Sequence, residues 1–419
     1  MPVVNRSQSP VRLPQGAPET LPQTGKAAIA TGSPLKDRLT WISFLIYGVW
    51  SLGWGLFSPA MPFLRAELKL GYSVAALHFS AMALGLLIAG ISGARILSNV
   101  RPAPVIWCGT TAVALATASV ILHCNHYCTI LAAFIVGFTG SVSAQAIIGS
   151  LSERYQEHRT AVIAQLVLVN SLFSTAAPLL VAAVVSLGLP WTLSLASPLV
   201  VLSFIAILNR VMPAGTWQKR EVSQIASGNL SVTYWRYWSI VFLCVAAEWS
   251  ITFWCPDYLE RVHHFKRAQA CAGLSVFLAA MMAGRVVGSV LASRISVDKL
   301  IVAATLTAFL GFFLFWRGGD LLCVFAGLII LGLGEANCYP LGLSAALAAA
   351  PGKIARATAG ISVSTGSAIL LAPFILGMAA DHVGIMQAYG LVAILLGTAV
   401  CTSLYSATLA KAKAAGYSV

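Results

Sequence analysis

The stretch "YWRYWSIVFLCVAAEWSITFWCPDYL" (234–259) decides the fold. As a helix rising 1.5 Å per residue it is long enough to cross a hydrocarbon core of about 30 Å. Its other charged residues, Arg236 and Asp257, lie near the two ends, but Glu248 stands about 20 Å along the run from its first residue. A carboxylate at that depth costs at least ~2.5–3.5 kcal/mol on insertion scales and by default marks a pathway, a proton relay or an ion pair.

The rest of the chain repeats this pattern. Hydrophobic residues make up 58% and charged residues 9% of 419, with a mean hydropathy of +0.84, a balance that excludes an ordinary soluble domain. Apolar runs fall at 39–64, 74–97, 104–123, 128–153, 159–188, 190–211, 234–259, 269–294, 299–316, 321–350, 355–380 and 385–410. Backbone groups in lipid must be satisfied internally, and these runs are too long and too uniformly apolar for barrel strands. The sequence predicts an all-α membrane protein with twelve transmembrane helices.

Residues 1–38 read as a disordered cytoplasmic tail, rich in proline and without an apolar run that could form a signal-peptide core. A net charge of +13 is of the size that nucleic-acid-binding proteins carry, but its distribution points elsewhere. With the N-terminus placed inside, 19 of the 26 basic residues fall on inner segments and six on outer loops. This is the positive-inside bias, which puts both termini in the cytoplasm and excludes nucleic acid as the partner implied by the charge. Of the nine cysteines, seven lie in spans, where they act as small apolar residues. "HCNHYC" (123–128) leaves a metal site or a Cys124–Cys128 disulfide open, but its spacing matches no zinc pattern, and no cofactor is implied.

The chain also repeats itself. "GFTGSVSAQAIIGSLSERYQEHRTA" (137–161) parallels "GLGEANCYPLGLSAALAAAPGKIARATA" (332–359), an offset of 197 placing Gly137 on Gly334 and Arg159 on Arg356. "ISGARI" (91–96) parallels "VLASRI" (290–295), with Arg95 on Arg294. Two pseudo-symmetric six-helix bundles are expected, at 39–211 and 234–410, joined by a cytoplasmic linker at 212–233 and followed by a cytoplasmic tail at 411–419. Parallel repeats of this kind imply a pseudo-twofold axis along the membrane normal.

Over 39–410 the sequence resembles the major facilitator superfamily. Its loop signature Gly-x-x-x-Asp-Arg-x-Gly is degenerate here. "GISGARILSN" (90–99) keeps Gly90 and Arg95 with Ala94 at the aspartate position, and "GRVVGSVLASRIS" (284–296) keeps Gly288 and Arg294 with Ser293 there. The resemblance implies gating-loop roles for Gly90, Arg95, Gly288 and Arg294, and the missing aspartates put any carboxylate gate in doubt. Helix 4 lacks the arginine of the superfamily's drug–proton antiporters, and helix 5 keeps Pro178 without their glycines. "AAEWSITFWCPDYL" (246–259) is similar to helix 7 of fucose–proton-type sugar symporters, although the acidic residues of their helices 1 and 4 have no equivalents.

In the superfamily helices 1, 4, 7 and 10 line the central cavity, so the resemblance places Glu248 and Glu335 on the pathway. Counted along their helices, Glu248, Glu335 and Arg285 all lie near mid-depth, about 20–22 Å from one membrane face. They are the candidates for proton coupling, with an Arg285–Glu335 pair as the bland alternative. Trp54, Gln145, Asn170, Trp249, Thr252, Asn337 and Tyr339 supply a candidate substrate surface. No phosphate-cradling loop and no nucleophile–base pair is legible, so an enzyme is not expected.

The reading is a secondary-active transporter of a small polar or amphipathic solute, working by alternating access as a monomer in the cell membrane, with protons as the coupling ion in symport. Efflux of a drug or metabolite by proton antiport, an uncoupled facilitator, and a non-transporting receptor on the same fold remain alternatives.

Overall fold

A computed structural model of the chain describes residues 37–122, 125–156, 158–211, 229–292, 294–351 and 353–414. Residues 1–36 of the expected tail (1–38), 212–228 of the expected linker (212–233), 415–419 of the expected C-terminal tail (411–419) and Ser293 therefore lie outside the described residues, as do His123 and Cys124 of the 123–128 loop. Among the described residues, twelve helices are long and apolar enough to cross a membrane. They are α1 Arg38–Leu68, α2 Tyr72–Gly93, α3 Pro102–Leu122, α4 His126–Arg154, α5 Ala161–Ser186 and α6 Trp191–Arg210 in the first bundle. The second holds α7 Val232–Arg261, α8 Arg267–Leu291, α9 Val297–Arg317, α10 Leu321–Ala348, α11 Arg356–Val383 and α12 Ile385–Lys411. An even number of spans puts Asp37 and Lys411 at the same face of the molecule, here the near face; the other is the far face.

Helix starts show the repeat physically. The first amides of a helix have no internal partner, and a Ser, Thr, Asp or Asn side chain at the N-cap can accept from one of them. Asp37 accepts from Thr40 N at 3.1 Å and Ser231 from Tyr234 N at 3.1 Å, opening α1 and α7. Asn125 accepts from Cys128 N at 3.0 Å and Asp320 from Cys323 N at 2.7 Å, opening α4 and α10. These caps stand 194 and 195 positions apart (231 − 37 and 320 − 125).

Helix packing gives the same register. A Cβ added to Gly137 on α4 would stand 2.1 Å from Met82 O on α2, and one on Gly332 on α10 2.6 Å from Phe277 O on α8. Both glycines let parallel helices approach to backbone contact, as small residues do in membrane bundles. Gly137 thus corresponds to Gly332, not to Gly334 as the loop alignment at 197 suggests. The loops that follow differ in length, so an alignment anchored on Arg159 and Arg356 carries the loop offset back into the helices.

Three seams join the bundles. Along α2 and α11, Ser80 Oγ donates to Leu370 O at 2.9 Å. Along α5 and α8, Ser275 Oγ donates to Thr175 O at 3.0 Å. Between α1 and α7, Ser58 Oγ donates to Thr252 O at 2.6 Å. Here α1 is interrupted at Leu56, its two helical segments ending at Gly55 and resuming at Phe57. The cause is local: Pro59 has no N–H to give to the Gly55 carbonyl.

Candidate functional site

The interruption in α1 turns Trp54, Gly55 and Ser58 toward the space between the bundles. There they line a cavity of about 130 Å³ together with Asn170, Ser171, Ser174 and Thr175 of α5, Glu248, Trp249 and Thr252 of α7, and Met281 and Arg285 of α8. A second cavity of about 180 Å³ shares Trp54, Asn170, Ser174 and Trp249 with it and extends past Trp50 and Tyr47 toward Leu86 and Ile369. Each bundle supplies part of both walls.

One wall is aromatic. The rings of Tyr47 and Trp50 lie 5.2 Å apart, Trp50 and Trp54 6.2 Å, and Trp54 and Trp249 5.6 Å, all edge to face. The series continues through Phe253 to Phe79, stacked at 3.9 Å. The i, i+3, i+7 spacing on α1 puts Tyr47, Trp50 and Trp54 on one face, and Trp249 meets the last of them from the other bundle. The indole Nε1 of both Trp50 and Trp54 is buried and has no hydrogen-bond partner among the described residues. Buried donors are normally paired, so these two N–H groups have bonding capacity to spare.

The first cavity also carries charge. Glu248 is half-buried and Arg285 exposed, and both line it. They do not touch: Arg285 Nη1 donates to Ser171 Oγ on α5 at 2.9 Å. An acid and a base facing one small space, each with bonding capacity to spare, can hold a zwitterionic or polar guest or pass a proton to it.

Of the expected site residues, Trp54, Asn170, Trp249, Thr252, Glu248 and Arg285 meet at this cavity. Others do not. The alternative Arg285–Glu335 pair is not formed among the described residues, because Arg285 points across to α5. Glu335 is 1% exposed, and among the described residues its oxygens have no partner beyond the neighbouring Cys338 thiol. Gln145 turns to α2, donating to Ala89 O at 3.1 Å, and Asn337 turns to α8, donating to Gly284 O at 2.9 Å. These amides bond carbonyls 195 positions apart in the two bundles, so they staple neighbouring helices rather than face the cavities. Tyr339 is exposed and lines neither cavity. Gly288 is buried against Asn337, whereas Gly90 has open space where a Cβ would go, and Arg95 and Arg294 are exposed.

Sequence reasoning passed over the serine and threonine face of α5 and the far-face charges. Ser171, Ser174 and Thr175 follow Asn170 in "NSLFST" (170–175), a polar ladder whose spacing was the available signal. On the far face Arg65 of α1 and Asp257 of α7 form a buried ion pair at 2.7 Å. Beside it, Asp381 of α11 accepts from Tyr72 N and Ser73 N at the start of α2, both at 2.7 Å. Together these tie α1 to α7 and α2 to α11 at the far face.

Comparison with known proteins agrees with this arrangement. The profile of the Major Facilitator Superfamily matches residues 43–319. An uncharacterised MFS-type transporter of Yersinia pestis is 27% identical over 162 residues, which cover 38% of this chain and 42% of that protein's length. Among solved structures, a bacterial homologue of the human lysosomal transporter Spinster, inward-facing and occupied, superposes with a TM-score of 0.74 at 14% identity, over 88% of this chain and 96% of that one. The nucleoside transporter NupG superposes at 0.68 with 14% identity, over 89% and 98% of the two chains. Spans, paired bundles, a shared central cavity and the profile match lead to one conclusion: the chain belongs to the major facilitator superfamily.

Proposed function

We propose that this protein is a secondary-active transporter that moves a small solute across the cell membrane by alternating access, coupled to protons through Glu248. The observation that carries the reading is the central cavity, walled by both bundles and lined by Glu248, Arg285 and Trp54, whose indole N–H has no hydrogen-bond partner among the described residues. Rocking the bundles about such a cavity exposes it to each side in turn.

The walls define the guest. The edge-to-face aromatics favour a flat or apolar ring face. The indole N–H groups, Asn170 and the α5 hydroxyls favour acceptor groups, and Arg285 favours a carboxylate, phosphate or other electron-rich end. A small amphipathic solute with a ring at one end and polar groups at the other fits this lining. With the near face in the cytoplasm, as the distribution of basic residues implies, the Arg65–Asp257 pair shuts the outer side. This conformation is then one closed to the outside. Glu248 would bind solute and proton together and release both inward, which is symport by a monomer.

A screen of the purified protein by thermal shift against nucleosides, sugars, organic acids, peptides and aromatic amines names the solute class. Counterflow of the stabilising solute in proteoliposomes then tests transport. Saturable counterflow is expected; tight binding without flux would make the protein a receptor on a transporter fold.

A further inference from the structure

Cys244 of α7 and Glu335 and Cys338 of α10 meet inside the second bundle. The two Sγ atoms and a carboxylate oxygen lie within 4.8 Å of one another. Cys244 and Glu335 are 1% exposed and Cys338 0%. Glu335 and Cys338 share a helix face at i and i+3, and Cys244 meets them from the neighbouring helix. The Cys338 thiol reaches Gly334 O at 3.5 Å, and among the described residues the Glu335 oxygens have no partner beyond the Cys338 thiol beside them. Arg285 donates to Ser171 instead of pairing with Glu335. A carboxylate buried against two thiols, with no basic partner among the described residues, is an expensive arrangement, and a cation would supply what is missing.

We propose that Cys244, Glu335 and Cys338 form a binding site for a thiophilic divalent cation of the zinc class. Two sulfurs and one oxygen suit zinc and its softer analogues, whereas magnesium and calcium demand shells made of oxygen. With metal–sulfur bonds of about 2.3 Å, donors in a tetrahedral shell stand about 3.5–3.8 Å apart, so the cluster draws in by about 1 Å to close on an ion. Rotamer changes at three side chains on two packed helices cover that distance. The thiols bind as thiolates, giving their two protons to solvent as the ion enters. Three protein ligands leave a fourth position for water or a small ligand, as in open zinc sites. The ion would tie α7 to α10. The sequence conceals the site because its ligands come from two spans and follow no Cys-x-x-Cys spacing.

The test uses the full-length protein, purified in detergent with a non-thiol reductant, and cobalt(II) as a coloured probe. A single equivalent should produce a thiolate-to-cobalt charge-transfer band with tetrahedral ligand-field bands, and zinc should abolish both by displacement. Cys338→Ser and Glu335→Gln, each checked for monodispersity, should weaken cobalt binding by at least the roughly 10–100-fold that loss of a supporting group causes. Should a variant misfold, zinc retained at one equivalent by the parent protein through gel filtration, and removed by a chelator, answers the same question. No charge-transfer band at excess cobalt, a band that survives in the Cys244→Ser/Cys338→Ser double variant, or no zinc retained by the parent protein would overturn the proposal. None of these readouts requires transport, so the site and the transport reading fail separately.

Discussion

Arg65 and Asp257 lock the two bundles together at the far face. Arg65 Nη1 lies 2.7 and 2.8 Å from the two carboxylate oxygens, with the side chains 7% and 2% exposed, and its guanidinium sits 3.5 Å over the ring of Tyr72. Removing one partner of a buried pair leaves the other charge stranded, which costs about 3–5 kcal/mol. That penalty falls on the closed far face and is relieved when the face opens and water reaches the survivor. Arg65→Ala should therefore shift the population toward an open far face. Spin labels at Lys69 and Arg261, on the exposed far ends of α1 and α7, should report a longer distance by pulsed resonance. A distribution identical to the parent's would show that the pair is not a latch.

Close packing of parallel helices gives a second prediction. A Cβ at Gly137 meets a carbonyl oxygen at 2.1 Å and one at Gly332 at 2.6 Å. Backbone cannot step aside as a flexible side chain can, so Gly137→Ala and Gly332→Ala should each lower stability by about 1–3 kcal/mol. Gly90→Ala meets nothing within 4 Å and should be neutral or raise stability by up to about 1 kcal/mol through helix propensity. Thermal melts of the three purified variants decide the matter; equal losses at all three positions would contradict the packing argument.

A third prediction concerns pH. Asp37 caps α1 and meets Thr40, Arg154 and Tyr155. Burial pushes its carboxyl up, but hydrogen bonds from Thr40 and the Arg154 charge outweigh that and hold it below its ordinary 3.8. A depressed folded value means that the charge stabilises the fold fully above about pH 4 and loses that effect as pH falls through the folded value. Asp37→Ala should lower stability near neutrality by about 1 kcal/mol for the lost cap plus the charge contribution. Asn can still cap, so Asp37→Asn isolates the charge. Its stability deficit in thermal melts should be constant from pH 8 to pH 5 and narrow below about pH 4. A deficit that grows on acidification would refute the assignment.

The architecture was legible because span length, apolar composition and repetition are properties of continuous segments. Glu248, Trp249 and Thr252 could be found for the same reason: they interrupt or decorate one apolar run. Residues whose role depends on rotation about the helix axis were harder. Gln145 and Asn337 are polar and at the depth of the cavity, but each turns sideways to a neighbouring helix carbonyl, and sequence depth says nothing about that angle. Arg285 could be placed at the right level but not given its partner, because Ser171 belongs to the other bundle. Arg65 and Asp257 looked like ordinary charges at span ends until folding brought α1 against α7. Cys244 read as a small apolar residue until it stood opposite Glu335.

Aromatic donors in the cavity give a fourth expectation. Trp54→Phe keeps the edge-to-face ring but removes an N–H, so it should weaken solute binding by about 0.5–1.5 kcal/mol, the worth of one hydrogen bond. Gly140→Ala would drive a Cβ to 2.0 Å from Trp50 Cδ1, displacing that indole and weakening binding without touching Trp54. Titrations that follow tryptophan fluorescence compare both with the parent; unchanged affinity in both would remove the aromatic wall from the site.

The most direct test of the account is uphill transport by Glu248→Gln. Glutamine keeps the size and hydrogen-bonding capacity of the protonated acid but cannot release a proton. In proteoliposomes bearing an inward proton gradient, the parent protein should accumulate its solute above the external concentration. The Glu248→Gln variant should still exchange labelled for unlabelled solute, because alternating access needs no titrating group. It should not accumulate solute, because a gradient drives a transporter only through binding that differs between its states. Accumulation by Glu248→Gln at the parent rate would contradict the central claim and remove Glu248 from the coupling mechanism.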